Sequence, residues 1–221
     1  MFAKFAMMLG GSTAAAGGPA AIAFAAAASS SANAAAYTFS AHSIGTASSD
    51  RHVVVCVAFG DTGANSVDFV TVGGQSCTQI AAIQNGSFEA FAGIFITDAP
   101  VTSGTTADVI VDLANFANNC GIGTFALTGL SSITATDTAT TTTDGSAQSL
   151  DINADGVAVG VTSFDGTSVS WTNMTERYDA NTEGTAGHSG ASTTSATTQT
   201  LSVTSTVSGS NLTAVAYASF R

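Results

Sequence analysis

Three residues in the stretch DINADG have the types and the spacing to bind calcium, and a glycine follows them. Asp151, Asn153, Asp155 and Gly156 match the first half of a calcium loop, where oxygen ligands occupy alternate positions before a glycine. Such a loop closes with a bidentate Glu at its twelfth position, and this chain has Thr162 there. The flanking residues resemble strands rather than helices. We therefore predict a hairpin turn and no metal centre, with a calcium site at Asp151, Asn153 and Asp155 as the alternative.

The stretch GHSGAS (187–192) places a histidine beside a serine, which are the residue types of a nucleophilic hydrolase. A nucleophile elbow needs G-x-S-x-G between a strand and a helix, and here the second glycine comes one position early. On an extended chain, His188 and Ser189 would point to opposite faces. We therefore predict a solvated loop here and no catalytic residue.

The carboxylates are the other candidate catalytic groups, because two of them at the right separation can hydrolyse a glycosidic bond. They are scattered along the chain, which favours a solubilising surface instead. Trp171 and Tyr178 could stack on sugars, but strand spacing favours a place in the core. The sequence has no Walker loop, dinucleotide fingerprint or H-E-x-x-H motif. We therefore predict that the protein is not an enzyme and uses no cofactor.

The three cysteines and three histidines show no zinc-ligand spacing. Cys56 lies in the apolar run HVVVCVAF, which predicts a buried thiol. A disulfide between Cys77 and Cys120 is compatible with the sequence but is not determined by it.

The composition excludes two classes of partner. Only 9% of the 221 residues are charged, and the net charge is −11 with four Lys and Arg in total. Nucleic acids and anionic membrane surfaces are both bound through Lys and Arg. We therefore expect neither as a partner. Because lysines are too few to protect the edges of sheets, we expect a homo-oligomer or docking on another subunit.

From Tyr37 onward, short apolar runs alternate with turn signals at spacings of about 8–12 residues, which is typical of β-sandwiches and barrels. Asn85-Gly86 predicts a tight hairpin turn. The alternating glycines of CGIGTFALTGL (120–130) suit a strand packed closely against a neighbour. We predict an all-β fold, an antiparallel jelly-roll-like β-sandwich, as one domain over residues 37–221. The stretch SSITATDTATTTTDGS (131–146) fits either an edge strand or an exposed loop.

The stretch PAAIAFAAAASSSANAAAYTFS (19–40) has the small residues of a signal-peptide cleavage site. However, Gly, Ser and Pro interrupt the apolar core that precedes it, and the same breaks leave no transmembrane run of about 20 residues. We therefore favour a retained N-terminal arm, residues 1–36, extended or partly helical, that becomes ordered on a partner. Its predicted partner-docking residues are Phe2, Phe5, Met8, Leu9, Ile22 and Phe24.

Four runs, in this order, resemble β-sandwich structural proteins in the virions of tailed bacteriophages. They are SDRHVVVCVAF, SVDFVTVGGQSCTQIAAIQNG, FAGIFITDAPVTSGTTADVIVDL and CGIGTFALTGL. The resemblance covers roughly residues 37–221, and its motifs are compositional, so it implies no catalytic residue. It implies a place in the virion as a capsid decoration (cement) protein, a head fibre or a tail appendage. We expect a decoration protein whose arm docks on the major capsid protein or on other virion subunits.

Two alternatives remain open. A tail fibre or receptor-binding appendage would bind a host glycan through the loops GDTGAN, NFANN and NMTERYDANTEGTAGH. A secreted bacterial carbohydrate-binding β-sandwich would require cleavage of a signal peptide near Ala34–Ala36.

Overall fold

The computed structural model describes residues 18–60, 63–85, 90–183, 186–209 and 213–221. Within these ranges the chain forms β-strands and no helix. The first eight strands are β1 (Ala21–Ser30), β2 (Ala34–Ser43), β3 (His52–Gly60), β4 (Val67–Val72), β5 (Gln75–Gln84), β6 (Phe91–Thr97), β7 (Thr106–Ala117) and β8 (Asn119–Thr128). The next eight are β9 (Asp137–Thr141), β10 (Gln148–Ile152), β11 (Gly156–Asp165), β12 (Ser168–Thr172), β13 (Thr175–Glu183), β14 (Ala186–Ser195), β15 (Gln199–Ser208) and β16 (Thr213–Phe220).

The first eight strands form one antiparallel sheet in the order β1-β8-β3-β6-β5-β4-β7-β2. Strand β5 pairs with β6 along most of its length, but with β4 only through Gln75 and Ser76. The sheet therefore folds over at β5 into an inner layer, β1-β8-β3-β6-β5, and an outer layer, β4-β7-β2. This order is that of a jelly roll, so the predicted fold class is confirmed.

The last eight strands repeat this topology. Their layers are β9-β16-β11-β14-β13 and β12-β15-β10, which is the order of the first unit with eight added to each strand number. The chain thus contains two jelly rolls, where we expected one domain over residues 37–221. The second unit is rich in Ser, Thr and Gly where the first has Val and Phe, which is why the sequence does not show the repeat.

The inner layers of the two units pack face to face. Strand β3 lies against β11, β8 against β14, and β6 against β16, so an approximate two-fold axis relates the units. Val54 and Cys56 face this central seam from β3, and Val159 and Val161 face it from β11. Because the other side of β3 lines the interior of its own unit, every residue from Val53 to Phe59 is buried. This double burial explains the continuous apolar run HVVVCVAF.

Each unit also has its own interior core. In the first unit the rings of Phe59 and Phe91 stack at 4.4 Å between centroids, with valines of β3, β4 and β7 around them. In the second unit the interior core includes Leu150, Val203 and Tyr217. The outer layers bury alternate residues only, as strands with one solvated face do.

A buried arginine joins two loops at one end of the first unit. The Arg51 side chain is 0% exposed and donates hydrogen bonds only to backbone carbonyls. Its Nε bonds Val101 O at 3.0 Å, and its two terminal nitrogens bond the carbonyls of Gly45, Ser103 and Gly104 at 2.7–3.0 Å. The planar guanidinium satisfies several carbonyls at once, which an ammonium group cannot do in the same geometry.

The N-terminal region differs from the expected arm. The boundary at residue 36 falls inside β2, and residues 21–30 form β1, paired with β8 from Ala21 to Ser30. Alanine is a poor strand former, so the sequence alone did not predict β1. The strand forms because β8 offers an open edge. In the described part of the chain no helix is long and apolar enough to span a membrane.

Two stretches with no firm strand prediction are also strands. The stretch 131–146, which fitted either an edge strand or an exposed loop, contains the short edge strand β9. The predicted glycan loop NMTERYDANTEGTAGH contains edge strand β13, and NFANN lies in β7, β8 and the residue between them. Strands β5 and β6 form the expected hairpin, but residues 86–89 of its turn lie outside the described residues, as do residues 61–62 of GDTGAN.

Candidate functional site

The calcium candidates do not converge on one point. Asp151 Oδ1 accepts the hydroxyl of Thr200 at 2.5 Å across the strand pair. Asp155 Oδ2 lies 4.0 Å from a terminal nitrogen of Arg221. Asn153 turns its amide to a threonine hydroxyl at 3.5 Å. Nowhere in the described ranges do three His, Cys, Asp or Glu side chains meet as metal ligands would.

The DINADG stretch is a tight turn but not the predicted hairpin. Asp155 has a φ of 57°, and the Gly156 N–H donates to the Asn153 carbonyl at 3.0 Å. The strands on either side do not pair with each other, because β10 pairs with β15 while β11 pairs with β14 and β16. The turn therefore carries the chain from the outer layer to the inner layer of the second unit.

Two of the predicted docking residues are used inside the molecule. The ring of Phe24 lies 5.5 Å from that of Phe125 and stacks on Tyr178 at 5.4 Å. Ile22 packs against the same central core. Both side chains thus hold β1 against the second unit and are not free to dock. The other four, Phe2, Phe5, Met8 and Leu9, lie outside the described residues.

His188 lies in the central seam and not in the solvated loop that we predicted. Its ring is 0% exposed, its Nε2 is 3.0 Å from the Ser29 hydroxyl, and the ring of Tyr178 is 5.1 Å away. Burial lowers the pKa of His188 to about 4. Its Nδ1 and the Tyr178 hydroxyl have no hydrogen-bond partner in the described structure. The ring is therefore neutral at physiological pH.

Glycines on β8 make room for these rings. A Cβ at Gly121 would lie 2.4 Å from His188 Cδ2, and one at Gly123 would lie 2.3 Å from Tyr178 Cε1. The alternating glycines therefore permit the close approach that we predicted from their spacing, although the sequence did not identify the rings that fill the space.

Ser189 points to the opposite face from His188, as predicted, so the two cannot act as nucleophile and base. Its hydroxyl donates to the Tyr178 carbonyl at 2.9 Å and accepts from Trp171 Nε1 at 2.9 Å. The Trp171 ring packs edge-on against Tyr217 at 6.0 Å. Tyr178 belongs to the packed core, and Trp171 is half-buried against the interior core of the second unit.

The three thiols are free and unreactive. Cys56 and Cys120 are fully buried and Cys77 is half-buried. All three are free, so the Cys77–Cys120 disulfide that the sequence permits is not formed. Burial raises the pKa of all three thiols, and the charge of Asp98 adds to the effect on Cys77, whose pKa rises to about 12. Thiols that stay protonated are poor nucleophiles.

Strands β1 and β2 of the first unit carry no charged side chain of their own, although Asp108 of β7 accepts a hydrogen bond from Ala41 N at 2.9 Å. The sequence has no Asp, Glu, Lys or Arg between residues 5 and 49, and this range contains β1 and β2. These are the two end strands of the sheet. Thr124 of β8 joins them, because its hydroxyl lies 3.3 Å from Ala26 O of β1 and, on β2, 2.8 Å from Ser43 O and 3.1 Å from His42 Nε2. We call β1, β2 and the residues between them the uncharged side.

The uncharged side contains a groove of about 340 Å³. The Tyr37 hydroxyl lies 2.8 Å from the Ala32 carbonyl oxygen and 2.7 Å from that of Ala117, so its one proton is shared between them. Small side chains form most of the walls of the groove. The lining residues are Ser29, Ser30, Ala32, Ala34, Ala36, Tyr37, Thr38 and Phe39. We did not predict this surface from the sequence, although the run of residues 5–49 without a charged side chain indicates it.

The chain matches no protein-family model, no curated protein and no solved structure.

Proposed function

We propose that the protein is a non-enzymatic structural protein of a tailed-phage virion, which decorates the capsid and docks on the coat through residues 1–17. The observation that supports this most directly is that residues 5–49 include no charged side chain, although the net charge of the chain is −11. This run contains the edge strand β1. Jelly rolls recur in viral capsids and also in lectins, so the fold adds support by analogy alone.

The two parts of the chain suit different tasks in this role. The first seventeen residues contain five large apolar side chains besides Met1, which a groove on the coat would remove from water. All fifteen carboxylates lie at residue 50 or beyond, where they keep the unassembled protein soluble. The two stacked jelly rolls form a rigid body that adds contacts between coat subunits without any chemical step.

The pairing of β1 favours this role over that of a secreted protein with a cleaved leader. Cleavage near Ala34–Ala36 would remove β1, its pairing with β8 and the Ser29–His188 hydrogen bond. It would also uncover Phe125 and Tyr178, on which Phe24 packs.

The first experiment is intact mass and copy number of the protein in gradient-purified native particles. A chain that starts at Met1 or Phe2 and is present in hundreds of copies supports capsid decoration. A full-length chain in only a few copies would place it in the tail as an appendage. A protein that is absent from particles and begins after Ala34 would contradict the virion role.

The second experiment tests the docking segment. Deletion of residues 1–17 leaves β1 intact, whereas deletion of residues 1–36 would remove it and confound docking with folding. We expect the deleted protein to keep its melting temperature and to lose binding to undecorated particles. Serine in place of Phe2, Phe5, Met8 and Leu9 should have the same effect. The matched control places serine at Ala3, Ala6, Ala14 and Ala15 and should still bind. Equal binding by all variants would contradict docking through this segment.

A further inference from the structure

We infer that the uncharged side, formed by β1 and β2, is an interface between two copies of this chain, in which the β1 edges pair antiparallel across a two-fold axis. Among the described strands β1 pairs only with β8, and β2 only with β7. An edge strand presents unpaired N–H and C=O groups, which another strand can take up. This inference concerns contacts between copies and does not depend on a virion role.

The second unit provides an internal comparison, because β9 and β10 are the topological equivalents of β1 and β2. They have five residues each, where β1 and β2 have ten. Carboxylates of β9 and of the β9–β10 connection also bond to backbone N–H groups: Asp137 accepts from Asp151 N at 2.8 Å, and Asp144 accepts from Val207 N at 2.7 Å. Short strands and charges protect sheet edges from association. The same fold therefore has one short edge whose own residues include carboxylates and one long edge whose own residues are uncharged, where the one carboxylate on the strand backbone is that of Asp108 on Ala41 N in the described structure.

The charge distribution favours a second copy as the occupant of the uncharged side. Two chains with a net charge of −11 repel each other wherever their carboxylates meet, and the uncharged side is where they can approach without that cost. A basic partner would gain nothing there and would bind an acidic surface instead. An isologous contact of this kind closes as a dimer.

The geometry of β1 limits how the two copies pair. A bulge between Phe24 and Ala26 interrupts the strand, and the pairing with β8 is regular from Ala26 to Ser30. A bulge bends the strand and ends regular pairing, so the longest regular edge is these five residues. The two-fold axis then passes near Ala28, and the neighbour's β1–β2 connection lies opposite residues 23–25.

The available area is sufficient. A ten-residue strand is about 33 Å long, and two strands of facing layers about 10 Å apart give a side roughly 20 Å deep. The whole side is about 650 Å² for each copy and about 1,300 Å² in total, which lies within the range of specific interfaces, and regular pairing of the five residues covers about half of it.

The test is the mass of the full chain in solution by sedimentation velocity and light scattering at 1–100 µM. Ala32 and Ala36 are exposed and line the groove, so the A32K/A36K variant places lysines at the proposed interface. We expect a wild-type dimer and a dissociation constant raised roughly 100-fold in A32K/A36K, because the new lysines would be buried against the neighbouring copy. The control is T138K/S149K, which puts the same charges on exposed positions of β9 and β10 and should remain dimeric.

Three results would overturn the inference. A monomeric wild type at 100 µM would do so, and so would dimers of equal strength in wild type and A32K/A36K. The third is a dimer that is lost on deleting residues 1–17 but kept in A32K/A36K, since the N-terminal segment would then form the contact. Equal melting temperatures for all variants ensure that changes in mass report the interface and not unfolding.

Discussion

Acidification should loosen the central seam through protonation of His188. Burial lowers the pKa of this ring from its ordinary 6.5 to about 4, so between these values the unfolded chain binds a proton that the folded chain does not. Stability therefore rises with pH through this window and is lost as the pH falls from about 6.5 to about 4. The two pKa values give a loss of about 2 kcal/mol at pH 5 and about 3 kcal/mol at pH 4.

The contacts of the ring support the sign of this effect. The ring is fully buried between the two units, and the groups in contact with it are the Ser29 hydroxyl, the Tyr178 ring and the Gly121 backbone. None of these stabilises an imidazolium ion as a carboxylate would. Its charge would therefore be buried without a partner.

The assay is urea unfolding of wild type, His188→Gln and Ser29→Ala at pH 7 and at pH 5. Carboxylates also titrate toward low pH, so the decisive quantity is the difference between variants. The free energy of unfolding of wild type should fall by about 2 kcal/mol more than that of His188→Gln. Ser29→Ala keeps the buried ring and should retain the wild-type pH dependence. Parallel losses in wild type and His188→Gln would refute the assignment.

Three further predictions concern packing, polar burial and thiol chemistry. Gly123→Ala should lower the free energy of unfolding by about 1–3 kcal/mol in a urea titration, because its Cβ would overlap the Tyr178 ring. The control is Gly63→Ala, whose Cβ meets open space and should change the free energy of unfolding by less than about 0.5 kcal/mol. Arg51→Lys should lower the free energy of unfolding by about 2–4 kcal/mol in thermal and urea unfolding, because several buried carbonyls lose their hydrogen-bond donors. An unchanged unfolding midpoint would contradict the role of the guanidinium. At pH 8, Cys77 should react with a thiol reagent only slowly until urea is added, and rapid labelling of the native protein would show an exposed thiolate instead.

The strands that could be predicted from sequence are those with a clear hydrophobic period. Strand β3 coincides with the continuous apolar run HVVVCVAF, and β4 alternates apolar and polar residues over most of VDFVTV. Strand β13 was missed because its sequence, TERYDANTE, has mostly exposed polar side chains, and only its pairing with β14 makes it a strand. Strand β1 was missed because alanine has little strand preference of its own. In both cases tertiary pairing decided the structure, which a local pattern does not reveal.

The candidate site was less predictable than the fold, because its residues come from distant parts of the chain. Ser29 and His188 are separated by 159 positions and meet only because the two units stack. The spacing of Gly121 and Gly123 indicated a close neighbour, yet nothing local identified it. The charge-free run 5–49 was readable directly, but its meaning as one side of the molecule required the strand order that brings β1 and β2 together.

The two units show that the uncharged side is not a requirement of the fold. Both have the same strand order, and the second forms its equivalent edge with Asp137, Asp144 and Asp151 while keeping its layers intact. The first unit could accept charges at exposed positions such as Ala23 and Ala36 without disturbing a buried contact. An exposed surface that stays free of charge in a chain of net charge −11 is therefore better explained by contacts made outside the unit than by folding within it.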